Sequence, residues 1–251
     1  DRHVCARGRE NLCRDLHYLN GAVAEYLPVP ARFVTRSTYS VPNGLALEHA
    51  SLTEPLACVL HGLEACALSE PRDVIVLGGG PVGQLLLGVL HTDGHRVVLA
   101  DPLASRREIA TRMGAATTVE PPGTKAGAAF LDVAADSLGF DLSIDATGTV
   151  DGWELAAQCV RPGGEVLFFG GCPAKTRVSL DTGTIHYDEI VFRGSYHHRP
   201  ATVARALDML TRRELDVDLL LTRELPLSQT EEALRSMMRR DSLKVVIRPG
   251  S

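Results

Sequence analysis

A glycine-rich turn is the feature of this sequence that most clearly indicates a ligand-binding site. It follows the apolar run Val74–Leu77 and precedes an apolar stretch with helical character. In such a strand–turn–helix unit, one glycine permits the tight turn, a second lets the backbone approach a pyrophosphate, and a third lets helix and strand pack closely. The spacing therefore predicts a dinucleotide-phosphate site at the positive end of a helix. Its residues would be Gly78, Gly80, Pro81, Val82 and Gly83.

An acidic residue follows the next predicted strand, Arg96–Ala100. A carboxylate at that point, Asp101, can accept hydrogen bonds from the adenosine ribose hydroxyls of NAD and would repel the 2′-phosphate of NADP. Arg106 and Arg107 lie a few residues further on, and an arginine there can instead accommodate that phosphate. We interpret Asp101 and Arg106 as cofactor-binding residues, and we predict NAD rather than NADP as the cofactor.

Small and polar residues also follow three later predicted strands. In open parallel sheets, ligands bind beyond the carboxyl ends of the strands, so small residues there leave room for a cofactor. Any one of these positions alone is typical of an ordinary turn, but their recurrence at successive strand ends favours a binding rim. The predicted rim residues are Thr147, Gly148, Phe169, Gly170, Gly171, Ser195 and Tyr196.

Short apolar runs alternate with helical segments through the middle of the chain. This alternation predicts an α/β fold, with a doubly wound parallel sheet forming a Rossmann domain at residues 55–196. Residues 1–54 and 197–251 combine turn residues with short β-rich pieces. We expect these two ends to pack together as a discontinuous second domain.

Composition excludes several classes of function. The chain has 26 Lys and Arg against 31 Asp and Glu, a net charge of −5, and no basic stripe, which argues against nucleic acid as a partner. No apolar run approaches the roughly 20 residues that span a bilayer, so no membrane partner is expected. The six cysteines lie mostly in apolar runs and suggest no disulfide framework, which favours a cytoplasmic location.

Taken in order, the motifs resemble those of the zinc-dependent medium-chain dehydrogenases, in particular the branch of sorbitol and threonine dehydrogenases. The resemblance extends over essentially the whole chain and includes the glycine turn and Asp101. The other segments that carry it are Cys5 to Cys13, Gly21 to Tyr26, Glu54 to Ala57, Arg161 to Gly164 and Lys244 to Ile247.

This resemblance implies a fold and a reaction. Residues 1–54 would be the C-terminal part of a β-rich, GroES-like catalytic domain, to which residues 197–251 return. The reaction would be the zinc-assisted, reversible oxidation of a secondary alcohol, a polyol or amino alcohol, with hydride passing to NAD. Glu54 would lie at the catalytic zinc, and Tyr196 and His197 would line the pocket for the small alcohol or ketone. Relatives of this kind are homodimers or homotetramers, and we expect the same here.

The metal sites of that family are only partly represented. Its structural zinc lobe has four cysteines, of which Cys5 and Cys13 resemble the third and fourth, whereas Arg2 stands at the second. Two cysteines do not complete a tetrahedral site, so we predict a lobe without its metal. The remaining catalytic zinc ligands precede this lobe in the family. We therefore expect zinc in the full-length protein, and no alcohol dehydrogenase activity from these 251 residues alone.

Two other functions fit parts of the sequence. One is a zinc-free NAD(P)H reductase of the same superfamily, acting on a quinone or an activated double bond. The segment Glu54 to Ala57 and the remnant cysteines argue against it. The other is a dinucleotide-binding module without catalytic activity.

Overall fold

The computed structural model describes residues 2–121 and 128–250, which form two compact units. One unit contains the described residues up to Ala57 together with those from His197 onward, and the other contains Cys58–Tyr196. The boundary between the units lies within one helix, between Ala57 and Cys58.

Helices and strands occupy most of the described chain. In chain order the helices are α1 (Arg2–Cys5), α2 (Ala31–Ser37), α3 (Leu47–Ala50), α4 (Thr53–Leu63), α5 (Pro81–Thr92), α6 (Ala104–Arg112), α7 (Ala128–Leu131), α8 (Val150–Cys159), α9 (Thr182–Tyr187), α10 (Pro200–Thr211) and α11 (Thr230–Met238). The strands are β1 (Asp73–Leu77), β2 (Arg96–Ala100), β3 (Thr117–Val119), β4 (Phe140–Asp145), β5 (Val160–Phe168), β6 (Val191–Gly194), β7 (Leu221–Pro226) and β8 (Lys244–Arg248). Short 3-10 helices lie at Glu10–Leu12, Val217–Leu219 and Leu227–Gln229.

A six-stranded parallel sheet organises the unit Cys58–Tyr196. Its strand order is β3-β2-β1-β4-β5-β6, and every neighbouring pair runs parallel. This is the strand order of a doubly wound dinucleotide-binding sheet, and it confirms the predicted α/β class. The direction of strand addition reverses between β1 and β4. Ligands bind at such a reversal, beyond the carboxyl ends of the strands.

The apolar runs form strands because the sheet is covered on both faces. All five residues of β1 are buried, as expected for a central parallel strand. Ile75, Val98 and Val166 pack in one core with Phe130 and Phe140. Full burial of such a side chain contributes roughly 1.5–3 kcal/mol, so these strands anchor the loops that follow them.

A buried histidine just before β2 is hydrogen-bonded to the segment that leads into β1. The ring of His95 is 6% exposed, and its Nδ1 accepts the backbone N–H of Arg72 at 3.1 Å. Burial lowers the pKa of His95 below its usual value near 6.5. The fold therefore favours the neutral ring.

We expect this histidine to make stability depend on pH. Because folding lowers its pKa, its contribution is fully present above the unfolded-state pKa and is lost as the pH falls through the folded-state value. The variant His95→Asn keeps an acceptor near Nδ1 but does not titrate. Urea unfolding between about pH 7.5 and 5 should show a smaller loss of unfolding free energy for the variant than for the parent protein. Equal losses in the two proteins would contradict this assignment.

The other unit differs from the expected β-rich domain. The described residues before Ala57 contain helices and irregular chain but no paired strand. The segment Ala24–Val29, one of the short pieces rich in β-forming residues, forms no ladder. A strand requires a hydrogen-bonding neighbour, and none of the described residues supplies one to this segment. After His197, β7 and β8 pair in parallel as a separate two-stranded sheet. The prediction of a β-rich first 54 residues was therefore wrong for the described part of the chain.

Among the described residues, none forms a helix that combines the length and apolarity needed to cross a bilayer.

Candidate active site

The glycine turn adopts the geometry that its spacing predicts. Gly78 has φ +102°, a conformation that favours glycine, and its N–H donates to the carbonyl of Ala100 at 2.8 Å. Gly80 is the N-cap of α5, and Pro81 and Val82 follow in the first turn, where free N–H groups can meet an anion. A Cβ on Gly83 would overlap the carbonyl oxygen of Gly78. The third glycine is thus required by packing.

Asp101 lies directly behind this turn. It is 2% exposed, and its Oδ2 accepts the N–H of Gly79 at 2.7 Å while its Oδ1 accepts the N–H of Leu103 at 2.8 Å. The guanidinium of Arg106 on α6 lies 3.4 Å from Oδ2. The structure therefore brings together the predicted phosphate turn, the predicted ribose carboxylate and its neighbouring arginine.

The sequence interpretation missed a second support of the turn. Gln84 is fully buried on α5, and its Nε2 donates to the carbonyl of Gly79 at 3.2 Å and to that of Arg106 at 2.9 Å. This amide links the phosphate turn to α6. A single polar residue in an otherwise apolar helical stretch was the available signal.

The rim residues after β4 and β5 lie against each other. Gly148 has φ +67°, and a Cβ there would come within 2.9 Å of the carbonyl oxygen of Gly171. Thr147 is exposed, and its methyl group lies 3.1 Å from the position of a Cβ on Gly78. These contacts bring the predicted rim of β4 next to both the phosphate turn and the rim of β5.

The rim continues to β6. The N–H of Ser195 donates to the carbonyl of Phe168 at 3.4 Å, and Tyr196 is 55% exposed. A Cβ on Gly62 of α4 would contact the ring of Phe169 at 2.9 Å and the hydroxyl of Ser195 at 3.3 Å. Beside this rim lies a cavity of about 350 Å³, whose lining includes Gly171 and Ser195.

A second cluster of polar groups lies in the other unit. His197 Nδ1 is 3.9 Å and His198 Nε2 is 4.0 Å from Oε1 of Glu54, which lies in the first turn of α4. The His197 ring stacks on Tyr18 with centroids 5.7 Å apart, and the backbone of His197 has φ +58°. A carboxylate, two imidazoles and a phenol can bind a metal ion or the hydroxyls of a polar substrate.

Known proteins are similar to this chain in sequence and in fold. Residues 81–212 match the family model described as zinc-binding dehydrogenase. D-arabinitol dehydrogenase 1 of Uromyces fabae is 30% identical over 98% of this chain and 71% of its own. The chain belongs to the zinc-binding dehydrogenase family.

Further comparisons agree with this assignment. L-threonine 3-dehydrogenase of Idiomarina loihiensis is 25% identical to this dehydrogenase, over 97% of this chain and 70% of its own. A putative zinc-binding dehydrogenase from Sinorhizobium meliloti, solved bound to NADP, is 27% identical. It superposes with a TM-score of 0.89 over 98% of this chain and 72% of that one.

The cysteines of the dehydrogenase do not fit a structural zinc ion. Cys5 ends α1 and is exposed, and Cys13 is partly buried. Tetrahedral structural sites use four nitrogen or sulfur ligands, and the described residues form no metal-ligating group of three that includes either cysteine.

The cluster of Glu54 and His197 fits a catalytic zinc ion in part, because carboxylate and imidazole are both zinc ligands. His197 is predicted from the sequence as a substrate residue, whereas the sequence interpretation does not include Tyr18. No local motif marks Tyr18. The adjacency of two histidines at 197–198 was a signal for His198.

Proposed function

We propose that this dehydrogenase transfers hydride between a secondary alcohol carbon, in a polyol or amino alcohol, and NAD. The observation that carries the cofactor assignment is the carboxylate of Asp101, held against the glycine turn where the adenosine ribose would lie. The related Sinorhizobium protein was solved with NADP. In this chain, however, the carboxylate would repel the 2′-phosphate, and its ion pair with Arg106 already engages the arginine that could bind it.

The substrate class is supported by the names of the relatives and by the polar cluster. Those relatives are described as acting on arabinitol and on threonine, which carry an oxidisable secondary alcohol. Glu54 would lie at the catalytic zinc, and His197 and Tyr196 would contact substrate hydroxyls. A bound zinc ion lowers the pKa of an alcohol so that the alkoxide forms near neutral pH. The protein's own contribution is to orient the alcohol carbon toward the nicotinamide and to exclude water.

The proposal is tested on the full-length protein by zinc determination and an NAD-linked screen of polyols and L-threonine. We expect zinc-dependent reduction of NAD with at least one of these alcohols. Zinc bound without turnover of any secondary alcohol would contradict the proposed substrate class.

Glu54→Gln tests the role of the carboxylate. It removes the charge and keeps the shape, so we expect turnover to fall roughly 10- to 100-fold, as for loss of a group that supports a metal site. The Kd for NADH should not change, because the glycine turn and Asp101 belong to the other unit. Glu64→Gln, at an exposed glutamate just beyond the end of α4, is the matched control. Equal turnover of the two variants would exclude a role for Glu54 at the reacting centre.

A further inference from the structure

Asp145 is a fully buried carboxylate at the end of β4 that the proposed reaction does not use. Its Oδ1 accepts the N–H of Thr147 at 3.1 Å and the hydroxyl of Thr147 at 2.6 Å, and its Oδ2 accepts the N–H of Gly148 at 3.0 Å. Burial raises the pKa of Asp145, whereas these bonds favour the charged form. Three donors directed at one carboxylate fasten the loop after β4 to the end of that strand.

The same residue also holds the loop after the neighbouring strand. Its backbone carbonyl accepts the N–H of Phe169 at 3.1 Å and that of Gly170 at 2.8 Å. A Cβ on Gly170 would lie 2.8 Å from Oδ2 of Asp145 and would overlap the backbone nitrogen of Gly148. Glycine at position 170 therefore leaves the space in which the carboxylate and both loops meet.

The order of the strands determines which half of a dinucleotide these loops would contact. The glycine turn follows β1, Asp101 follows β2 on one side, and the loops held by Asp145 follow β4 and β5 on the other. A dinucleotide whose pyrophosphate lies at the turn and whose adenosine ribose lies at Asp101 must extend its second half over β4 and β5. The cavity beside Gly171 and Ser195 lies at that end of the sheet.

We propose that Asp145 is a positioning residue that shapes the binding surface for the nicotinamide half of the cofactor. The carboxylate of Asp145 does not touch the ligand. It holds Thr147 and Gly148, the backbone carbonyl of Asp145 holds Gly170, and these three residues form the surface. The inference rests on the proposed function, because it assumes that a nicotinamide dinucleotide binds at this edge of the sheet.

The test compares two ligands that share the adenosine half. Titration calorimetry gives the Kd values of NADH and of ADP-ribose for the parent protein and for Asp145→Asn. ADP-ribose lacks the nicotinamide. The variant has the same shape but retains only one acceptor oxygen. We expect the Kd of NADH to rise about tenfold or more, which corresponds to the loss of a charge-assisted hydrogen bond. The Kd of ADP-ribose should change less than about twofold.

Thr147→Val and Thr147→Ser form a second, milder pair. The valine variant removes the hydroxyl that donates to Asp145, and the serine variant retains it. We expect the valine variant to lose more affinity for NADH than the serine variant, with little change for ADP-ribose in either. This pair decides the matter if Asp145→Asn does not fold.

Each outcome has a distinct meaning. Equal losses for NADH and ADP-ribose would overturn the inference, because Asp145 would then support only the fold. Unchanged affinity for both ligands would overturn it as well. Failure of the parent protein to bind either ligand would refute the proposed function itself, and the inference with it.

Discussion

Replacing Gly83 with alanine is expected to destabilise the protein by about 3 kcal/mol or more, at the upper end of the cost of overpacking. The added Cβ would overlap the carbonyl oxygen of Gly78. Gly83 belongs to the buried helix α5 and Gly78 directly follows the buried strand β1, so neither can move away without loss of core packing. The measurement is the free energy of urea unfolding.

Gly80→Ala is the matched control for this prediction, because the two glycines have different roles. Gly80 has φ −67° and ψ 179°, which alanine adopts readily, and a Cβ there would meet no described atom within 4 Å. We expect its unfolding free energy to remain within about 0.5 kcal/mol of the parent. Its Kd for NADH should nevertheless rise, because the methyl group would occupy the approach of the pyrophosphate. A stable Gly83→Ala protein, or full NADH affinity in Gly80→Ala, would contradict the assigned geometry of the turn.

Replacing Asp101 with serine is expected to shift cofactor preference from NAD toward NADP. The substitution removes a carboxylate that would accept hydrogen bonds from the ribose, and we expect NAD affinity to fall roughly tenfold or more. It also removes the charge that would repel a 2′-phosphate and releases Arg106 from its ion pair. The ratio of the Kd values for NADP and NAD should therefore fall.

Asp101 also supports the turn itself, and the experiment must separate the two roles. Because Gly79 donates to its Oδ2, a serine variant could weaken both cofactors by loosening the turn. The ratio of affinities isolates the ribose contribution, since a loosened turn would affect NAD and NADP alike.

Arg106→Gln in the Asp101→Ser background provides the control for the arginine. It should reverse the gain in NADP binding, because the cation that would meet the 2′-phosphate is lost. Two results would show that Asp101 does not bind the adenosine ribose. One is preference of the parent protein for NADP, and the other is an unchanged ratio of the two Kd values in Asp101→Ser.

Local patterns in the sequence determined the parallel sheet and the glycine turn. The apolar runs that became β1 and β2, alternating with helical segments, predicted the parallel sheet, because a central strand covered on both faces is largely apolar. The glycine spacing predicted a turn in which Gly78 has positive φ and Gly83 has no room for a side chain. Such features depend on neighbours within a few residues, so a single sequence carries them.

Tertiary structure alone decided the rest. The segment Ala24–Val29 has β-forming residues but no ladder, because strand formation depends on a partner that a local pattern does not specify. The stacking of Tyr18 on His197 and the bonds from Gln84 to the turn and to α6 join residues that lie far apart in the chain or on different elements. The role of Asp145 likewise arises only when β4 and β5 become neighbours and bring its carboxylate and carbonyl to two loops at once. Contacts of this kind depend on how strands are ordered in space, which the spacing of residues along the chain does not determine.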